Sequence, residues 1–300
     1  MKETDNEYNA FGPWIYEIDD EHPLPRALKK YTDKAGNYEM LIKIPVNIER
    51  RKLKPGMDMY NRVLGVHTDY FQIISKQGDK VSSEKIPYER IEAVEYKFNL
   101  LEGRFRLYTD NSLFEIIFNA SSMEIIGKLS KLVRDNITKD HAPIDIGQYS
   151  TISTDTSLFF KNIYNELIKE NGDFKIIGYH DDIDIRYAAY KLHRFLFKIL
   201  LKPKIAGTLH VTNGKELAVV THGSNTVKTA KDPAIAGSFL FIPFANIRHI
   251  YKTVSDKYNG IIKYKIMLKN HGFDFYRNEA VQLSYLDKLE AQLRHISSVK

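Results

Sequence analysis

The sequence predicts an α+β, mainly β protein that contains two divergent copies of one β-rich repeat, each closed by a C-terminal helix. A hexamer recurs at residues 86–91 (IPYERI) and 242–247 (IPFANI), keeping the proline, the aromatic residue after it and the flanking isoleucines. Similar predicted strands and one amphipathic helix surround each hexamer in the same order. The 300 residues, 43% of them hydrophobic, suffice for two cores.

The first copy begins after Lys54-Pro55 and contains short segments whose apolar residues alternate as in half-buried strands. These predicted strands cover residues 63–68, 71–75, 91–98, 105–108 and 113–118. Gly103 is expected in a turn. A helix follows at residues 123–134 with one apolar stripe, and Ser121 and Glu124 match a capping box.

The second copy repeats this order after Lys202-Pro203. Asn213-Gly214 predicts a tight hairpin turn. The predicted strands cover residues 208–212, 217–221, 247–254, 261–268 and 273–276, with Gly260 at the position of Gly103. A helix at residues 281–294 ends the copy, with apolar residues again on one face.

The copies and the segments around them give four predicted regions. These are an N-terminal extension at 1–50, a first domain at 51–140, a helical connecting segment at 141–204 and a second domain at 205–300. Within the connecting segment we expect a helix at residues 157–170 and a strand at residues 175–179.

Short meandering strands followed by one terminal amphipathic helix, occurring twice around Ile-Pro-aromatic elements, resemble tandem bacterial pleckstrin-homology-like (PH-like) domains. The resemblance covers residues 51–136 and 205–300 and implies two partly open β-barrels, each closed by its helix. Many pleckstrin-homology domains bind phosphoinositides through basic residues at the first hairpin. The turns here, His67-Thr68-Asp69 and 212–215, lack that cluster, so headgroup recognition does not carry over.

Motifs that would define an enzyme or a cofactor site are absent from the sequence. With no cysteine, disulfides, thiolate metal sites and cysteine nucleophiles are excluded. Residues 180–184 (HDDID) could offer oxygen ligands to a cation, but with no glycine to bend the loop and no closing glutamate a solvated acidic turn is favoured. Scattered histidines could form a site only through tertiary proximity: His193, His210, His222, His249 and His271. We expect no catalytic residues, no metal and no cofactor.

The formal net charge of +6 is concentrated in one segment, residues 186–204, which has six basic and no acidic residues. On a helix its basic residues share a narrow stripe opposite a wide apolar face. Such a helix could lie on an anionic membrane or an acidic partner. The breadth of the apolar face favours burial between the two copies, and both alternatives stay open. The candidate surface comprises Arg186, Lys191, Arg194, Lys198, Lys202 and Lys204, with Arg50, Arg51, Lys52 and Lys54 at the equivalent approach to the first copy.

The predicted function is a non-catalytic binding module that acts in the cytoplasm, with association to the inner face of the membrane or with an acidic protein as the open possibilities. The acidic, polar start of the chain does not resemble a secretory signal, and no apolar run is long enough to span a bilayer. Two alternatives remain, an enzyme whose site is assembled between the copies and a nucleic-acid-binding protein. Because the basic excess is local, nucleic acid is not the favoured partner.

Overall fold

In this computed structural model the described residues are 14–32, 37–46, 48, 52, 54, 57, 59–147, 149–151, 156–171, 173–185, 202–229, 233, 236–278 and 285–291. The fold is mainly β with a smaller helical part, as predicted, and its strands form several antiparallel sheets. Over these residues none of the sheets closes into a barrel.

The chain forms two compact units that are not continuous in sequence. Unit 1 comprises Met1–Ile91, Leu101–Arg106 and Phe114–Lys139. Unit 2 comprises Glu92–Leu100, Leu107–Leu113 and Asp140–Lys300. The four predicted regions stay predictions.

Five strands form the first sheet, in their order along the chain, each pairing with the next. They are β1 (Tyr16–Glu17), β2 (Tyr38–Pro45), β3 (Tyr60–His67), β4 (Tyr70–Gln77) and β5 (Lys80–Pro87). The β3 and β4 strands contain the predicted hairpin at residues 63–75. Strand β2 lies in the segment that the sequence analysis placed in the N-terminal extension, and its central residues are buried.

Three further strands and a helix follow. They are β6 (Ile91–Asn99), β7 (Glu102–Thr109), β8 (Leu113–Asn119) and helix α1 (Met123–Thr138). Two local predictions were wrong. Gly103 lies inside β7, where a Cβ would come within 2.4 Å of the Phe118 ring, and the turn before β7 instead places Leu100 at a φ of 53°. The capping box does not form, because the side chain of Asn119 accepts from the Ser121 N–H.

The next segments contain helix α2 (Leu158–Asn171) and strands β9 (Lys175–His180), β10 (Ile183–Asp184), β11 (Lys204–Ile205), β12 (Thr208–Thr212), β13 (Glu216–Thr221), β14 (Val227–Lys228) and β15 (Ala236–Pro243). A seven-stranded sheet has the order β8-β7-β6-β15-β13-β12-β9, and β10, β11 and β14 form a small separate sheet. Asn213-Gly214 forms the predicted hairpin turn between β12 and β13, with Gly214 at a φ of 85°.

The last sheet has three antiparallel strands, β16 (His249–Val254), β17 (Ile261–Met267) and β18 (Gly272–Asn278). Residues 285–291 are helical and fall within the predicted terminal helix. The core of unit 2 joins residues of β13, β15 and β17 to three buried side chains of this helical segment, Tyr285, Leu286 and Leu289.

The two Ile-Pro-aromatic elements adopt the same local structure. Pro87 ends β5 and Pro243 ends β15, and a one-turn 3-10 helix follows each of them. The aromatic residues, Tyr88 and Phe244, are buried, and the carbonyl oxygen of each accepts a bond from the N–H three residues later. Helix α1 contacts the 3-10 turn that begins at Tyr88.

Candidate functional site

Unit 2 contains a cavity of about 300 Å3, which is at the small end of the range for ligand sites. Its walls come from β6, β12, β13, β15 and β18 and from the loop after β13. Apolar groups such as Leu240 and Phe275 contribute part of the lining. The polar lining residues are Glu95, Lys97, Thr208, Thr221, Ser224, Asn225, Thr226, Ser238 and Asp274.

Strand register explains why this cavity is polar at one end. Thr208 pairs with Thr221, which pairs with Ser238, which pairs with Lys97, so four polar residues form one row across the sheet. Alternate residues of a strand point to the same face. On the same face of the sheet, the next pair along β13 and β15 is Val219 with Leu240, and the pair after that is Leu217 with Ile242. All four side chains are buried and apolar.

His210 lies on the same face as Thr208 and is buried. Its Nε2 is 2.9 Å from the Thr208 hydroxyl oxygen, and its Nδ1 contacts the Tyr285 hydroxyl. The ring of Phe275 packs edge-on against it at 5.8 Å between centroids. Burial holds the pKa of His210 well below its ordinary value, and the nearby His180 and Arg277 lower it further. His210 is therefore neutral at pH 7, with both ring nitrogens engaged by hydroxyl groups.

Arg277, on β18, is only 4% exposed. Its Nη2 donates to the Tyr179 carbonyl oxygen at 3.2 Å. Within the described part of the chain, nothing accepts a hydrogen bond from its Nε or Nη1. Burial lowers the pKa of the guanidinium, but an arginine side chain stays charged at neutral pH.

His180, on β9, is a further buried titratable residue near His210 and Arg277. It pairs with Thr208 across β9 and β12, and its Nδ1 is 2.8 Å from the Asp181 carbonyl oxygen, so Nδ1 carries the proton. Burial and then the charge of Arg277 lower the pKa of His180. We call Arg277, His180, His210, Thr208 and Tyr285 the Arg277 cluster. It contains two imidazoles, a guanidinium and two hydroxyls, and no carboxylate.

The other histidines singled out in the sequence do not join this cluster. His222 stacks on Phe159 at 4.4 Å between ring centroids, and the Nε2 of His271 is 2.8 Å from the Thr109 carbonyl oxygen. His249 is exposed, and His193 lies outside the described residues. Sequence reasoning named His210, and named His180 only as part of the acidic run at 180–184, but it missed Arg277. The available signal was that Arg277 continues the alternation of Phe273 and Phe275 along one predicted strand.

The acidic run at residues 180–184 is used in local contacts. Asp182 accepts from the Gly207 N–H at 2.9 Å and pairs with Lys228 at 2.7 Å. Asp184 is 3.5 Å from the Lys204 amine, and Asp181 accepts from the Tyr179 hydroxyl. Across the part of the chain that the structure describes, no group of three or more His, Asp or Glu residues could hold a metal ion.

The predicted basic surface falls largely outside the described residues. That applies to Arg50, Arg51, Arg186, Lys191, Arg194 and Lys198. Lys52, Lys54 and Lys202 are exposed, and Lys204 is partly exposed beside Asp184. Whether residues 186–202 form a buried or a surface helix stays a prediction. No helix within the described ranges has the length and apolar character needed to cross a membrane.

Comparison with known proteins gives little. No family model matches the sequence. No curated protein matches it either. A solved structure, a DUF1696 family protein with a pleckstrin-homology domain from Shewanella loihica, aligns with 42% of this chain and 99% of its own at 14% identity, with a TM-score of 0.28. Similarity at that level carries no argument about this chain.

The depressed pKa of His210 predicts loss of stability in acid. An unfolded histidine takes up a proton below about pH 6.5, whereas folded His210 stays neutral, so the unfolded state binds more protons. The free energy of unfolding should therefore fall by up to about 1.4 kcal/mol per pH unit below 6.5, with a further contribution from His180. Denaturant titrations at pH 7.5, 6.5 and 5.5 measure this slope.

A glutamine at position 210 keeps hydrogen-bonding capacity but does not titrate. His210→Gln should therefore show a shallower decline than wild type over the same pH range. His249→Gln, which removes an exposed histidine, is the matched control and should follow wild type. Equal slopes in wild type and His210→Gln would show that His210 does not remain neutral in the folded protein.

Proposed function

We propose that the protein is a non-catalytic binding module built from two PH-like copies, and that the unit 2 cavity holds a small ligand. The observation that carries this proposal is the cavity itself, which combines a polar row with an apolar wall. This combination is typical of sites that bind small molecules, in which apolar groups supply contact area and a few polar groups fix the orientation.

The order of elements supports the PH-like assignment. If β2, which precedes the predicted first copy, is counted with it, β2 to β5 form a meander, β6 to β8 follow, and helix α1 comes last. If β9, from the predicted connecting segment, is likewise counted with the second copy, β9, β12, β13 and β15 are neighbours in that order, β16 to β18 form a second meander, and the helical residues 285–291 come last. An Ile-Pro-aromatic element connects the fourth and fifth strands of each copy.

The surroundings of the cavity support a binding role over catalysis. Its two carboxylates are engaged, because Glu95 accepts from the Tyr108 hydroxyl at 2.8 Å and Asp274 pairs with Lys263 at 2.7 Å. None of the lining residues that the structure describes is a histidine. The Thr208 hydroxyl lies 2.9 Å from the Nε2 of His210 behind the lining, but the other nitrogen of that ring contacts the Tyr285 hydroxyl and not a carboxylate that would orient it as a general base.

The basic segment at residues 186–204 supports a second partner, an anionic membrane surface or an acidic protein. Each Lys or Arg near an anionic surface contributes roughly 1 kcal/mol, and salt screens that contribution. We expect wild-type protein to co-sediment with anionic vesicles at low salt and to be released as salt is raised. Neutral vesicles should not bind.

A variant with Lys191, Arg194, Lys198 and Lys202 all changed to Gln should lose this binding. The matched control changes four lysines outside the segment, Lys76, Lys80, Lys128 and Lys169, to Gln, which lowers the net charge equally. Binding lost by both variants would mean that net charge, not this segment, drives association. If neither wild type nor the first variant sediments with anionic vesicles although both are folded, the hypothesis of a membrane partner is wrong.

A further inference from the structure

No carboxylate of the residues that the structure describes pairs with Arg277. Among the described residues it forms no ion pair, and its hydrogen bond to the Tyr179 carbonyl oxygen engages only one of its three nitrogens. Arg277 disfavours positive charge on His210, and protonation of His180 would do the same. Unit 2 therefore buries a cation beside imidazoles and hydroxyls.

Such an arrangement destabilises a protein unless something compensates for it. A charge taken out of water without a partner costs several kcal/mol, and buried polar atoms without hydrogen bonds are rare in native proteins. A neutral side chain of similar length would fill the same volume without that cost. Packing alone therefore gives no physical reason for an arginine here, whereas an anionic ligand does.

The cluster is adjacent to the cavity. Thr208 and Phe275 both line the cavity, and both contact His210. Arg277 is two residues after Phe275 on β18, so the two side chains lie on the same face of the strand. Arg277 does not itself line the cavity, so an anionic group bound to it would have to extend from the cavity past Thr208 and Phe275.

We propose that Arg277 binds an oxyanion, the carboxylate or phosphate group of a small ligand whose body occupies the cavity. This rests on the proposed function of the cavity as a ligand site. The guanidinium supplies the charge and the free Nε and Nη1 donors. Guanidinium groups match the geometry of carboxylates and phosphates, and hydrogen bonds between charged partners are stronger than those between neutral ones.

The test measures thermal unfolding in inorganic phosphate and in acetate, with chloride replacing them at constant ionic strength. At a tenfold excess of anion over its Kd, the wild-type midpoint should rise by roughly 3–6 °C. Phosphate also stabilises proteins nonspecifically because it is excluded from their surface. The informative quantity is therefore the response of wild type minus that of Arg277→Met.

We expect Arg277→Met and Arg277→Gln to lose this anion-specific rise and to unfold in chloride at or above the wild-type midpoint. Arg248→Met removes an exposed arginine and should respond to anions as wild type does. If wild type and both Arg277 variants respond equally to phosphate and to acetate, the anion site is overturned. A response to one anion but not the other identifies which oxyanion it takes.

One further variant separates this inference from the cavity proposal. Ser238→Phe should fill the polar end of the cavity, and its thermal transition reports that it is folded. Loss of the anion response in both Ser238→Phe and the Arg277 variants supports both proposals. If Ser238→Phe keeps the anion response and Arg277→Met loses it, the anion site is supported, but the cavity is not the site from which the anion reaches Arg277.

Discussion

Phe244→Ala should lower the free energy of unfolding by about 3–5 kcal/mol, because it removes a phenyl ring from the core of unit 2. Phe244 is 1% exposed and belongs to the cluster that contains Leu217, Ile242 and Ile266. Two features restrain its backbone. Pro243 precedes it, and its own N–H donates to the Lys215 carbonyl oxygen. Urea titration monitored by circular dichroism measures the change.

The control for Phe244 is Tyr251→Ala on the neighbouring strand β16, where the side chain is 52% exposed. That change should alter stability by less than about 0.5 kcal/mol. If Phe244→Ala proves equally mild, the Ile-Pro-aromatic element does not anchor unit 2. Tyr88→Phe tests the corresponding position of unit 1, where the hydroxyl donates to the His67 carbonyl oxygen at 2.5 Å, and it should cost about 1 kcal/mol.

Leu289→Ala and Leu129→Ala should each destabilise the protein by about 2–5 kcal/mol, because each truncates a fully buried leucine of a terminal helical segment. Leu129 lies on helix α1 in unit 1, and Leu289 lies in the helical residues 285–291 of unit 2. Denaturant unfolding measures both changes.

Leu158→Ala is the matched control for these two substitutions. It makes the same change at the first residue of helix α2, where the side chain is 71% exposed. A loss below about 0.5 kcal/mol in either buried variant would show that the helical segment does not seal its core. If both buried variants lose about 2–5 kcal/mol, both copies depend on their closing helix to a similar extent.

Local patterns predicted much of the fold, because turn chemistry and alternation act over few residues. Asn213-Gly214 turns where expected because Gly214 adopts a left-handed conformation. Strand β15 was missed because it is buried along its whole length, so it shows no alternation. Strand β5 was missed for the opposite reason, since it lies at a sheet edge and is mostly exposed and polar.

The candidate site was less predictable than the fold because it depends on register between distant strands. His180, His210 and Arg277 lie on three strands, and their proximity follows from pairings such as that of His180 with Thr208. The predicted strand at 273–276 stopped one residue before Arg277. A charged residue in phase with Phe273 and Phe275 is the sequence pattern that marks such a position.

An experimental structure of the full chain gives the most direct test of the two-copy organisation. The measurement is the strand connectivity of residues 38–138 compared with that of residues 175–291. We predict the same order in both, four meandering strands, an Ile-Pro-aromatic turn, three meandering strands and a helix, so that the two segments superpose element by element. Different connectivity in the two segments would contradict the shared PH-like architecture and the binding role proposed from it.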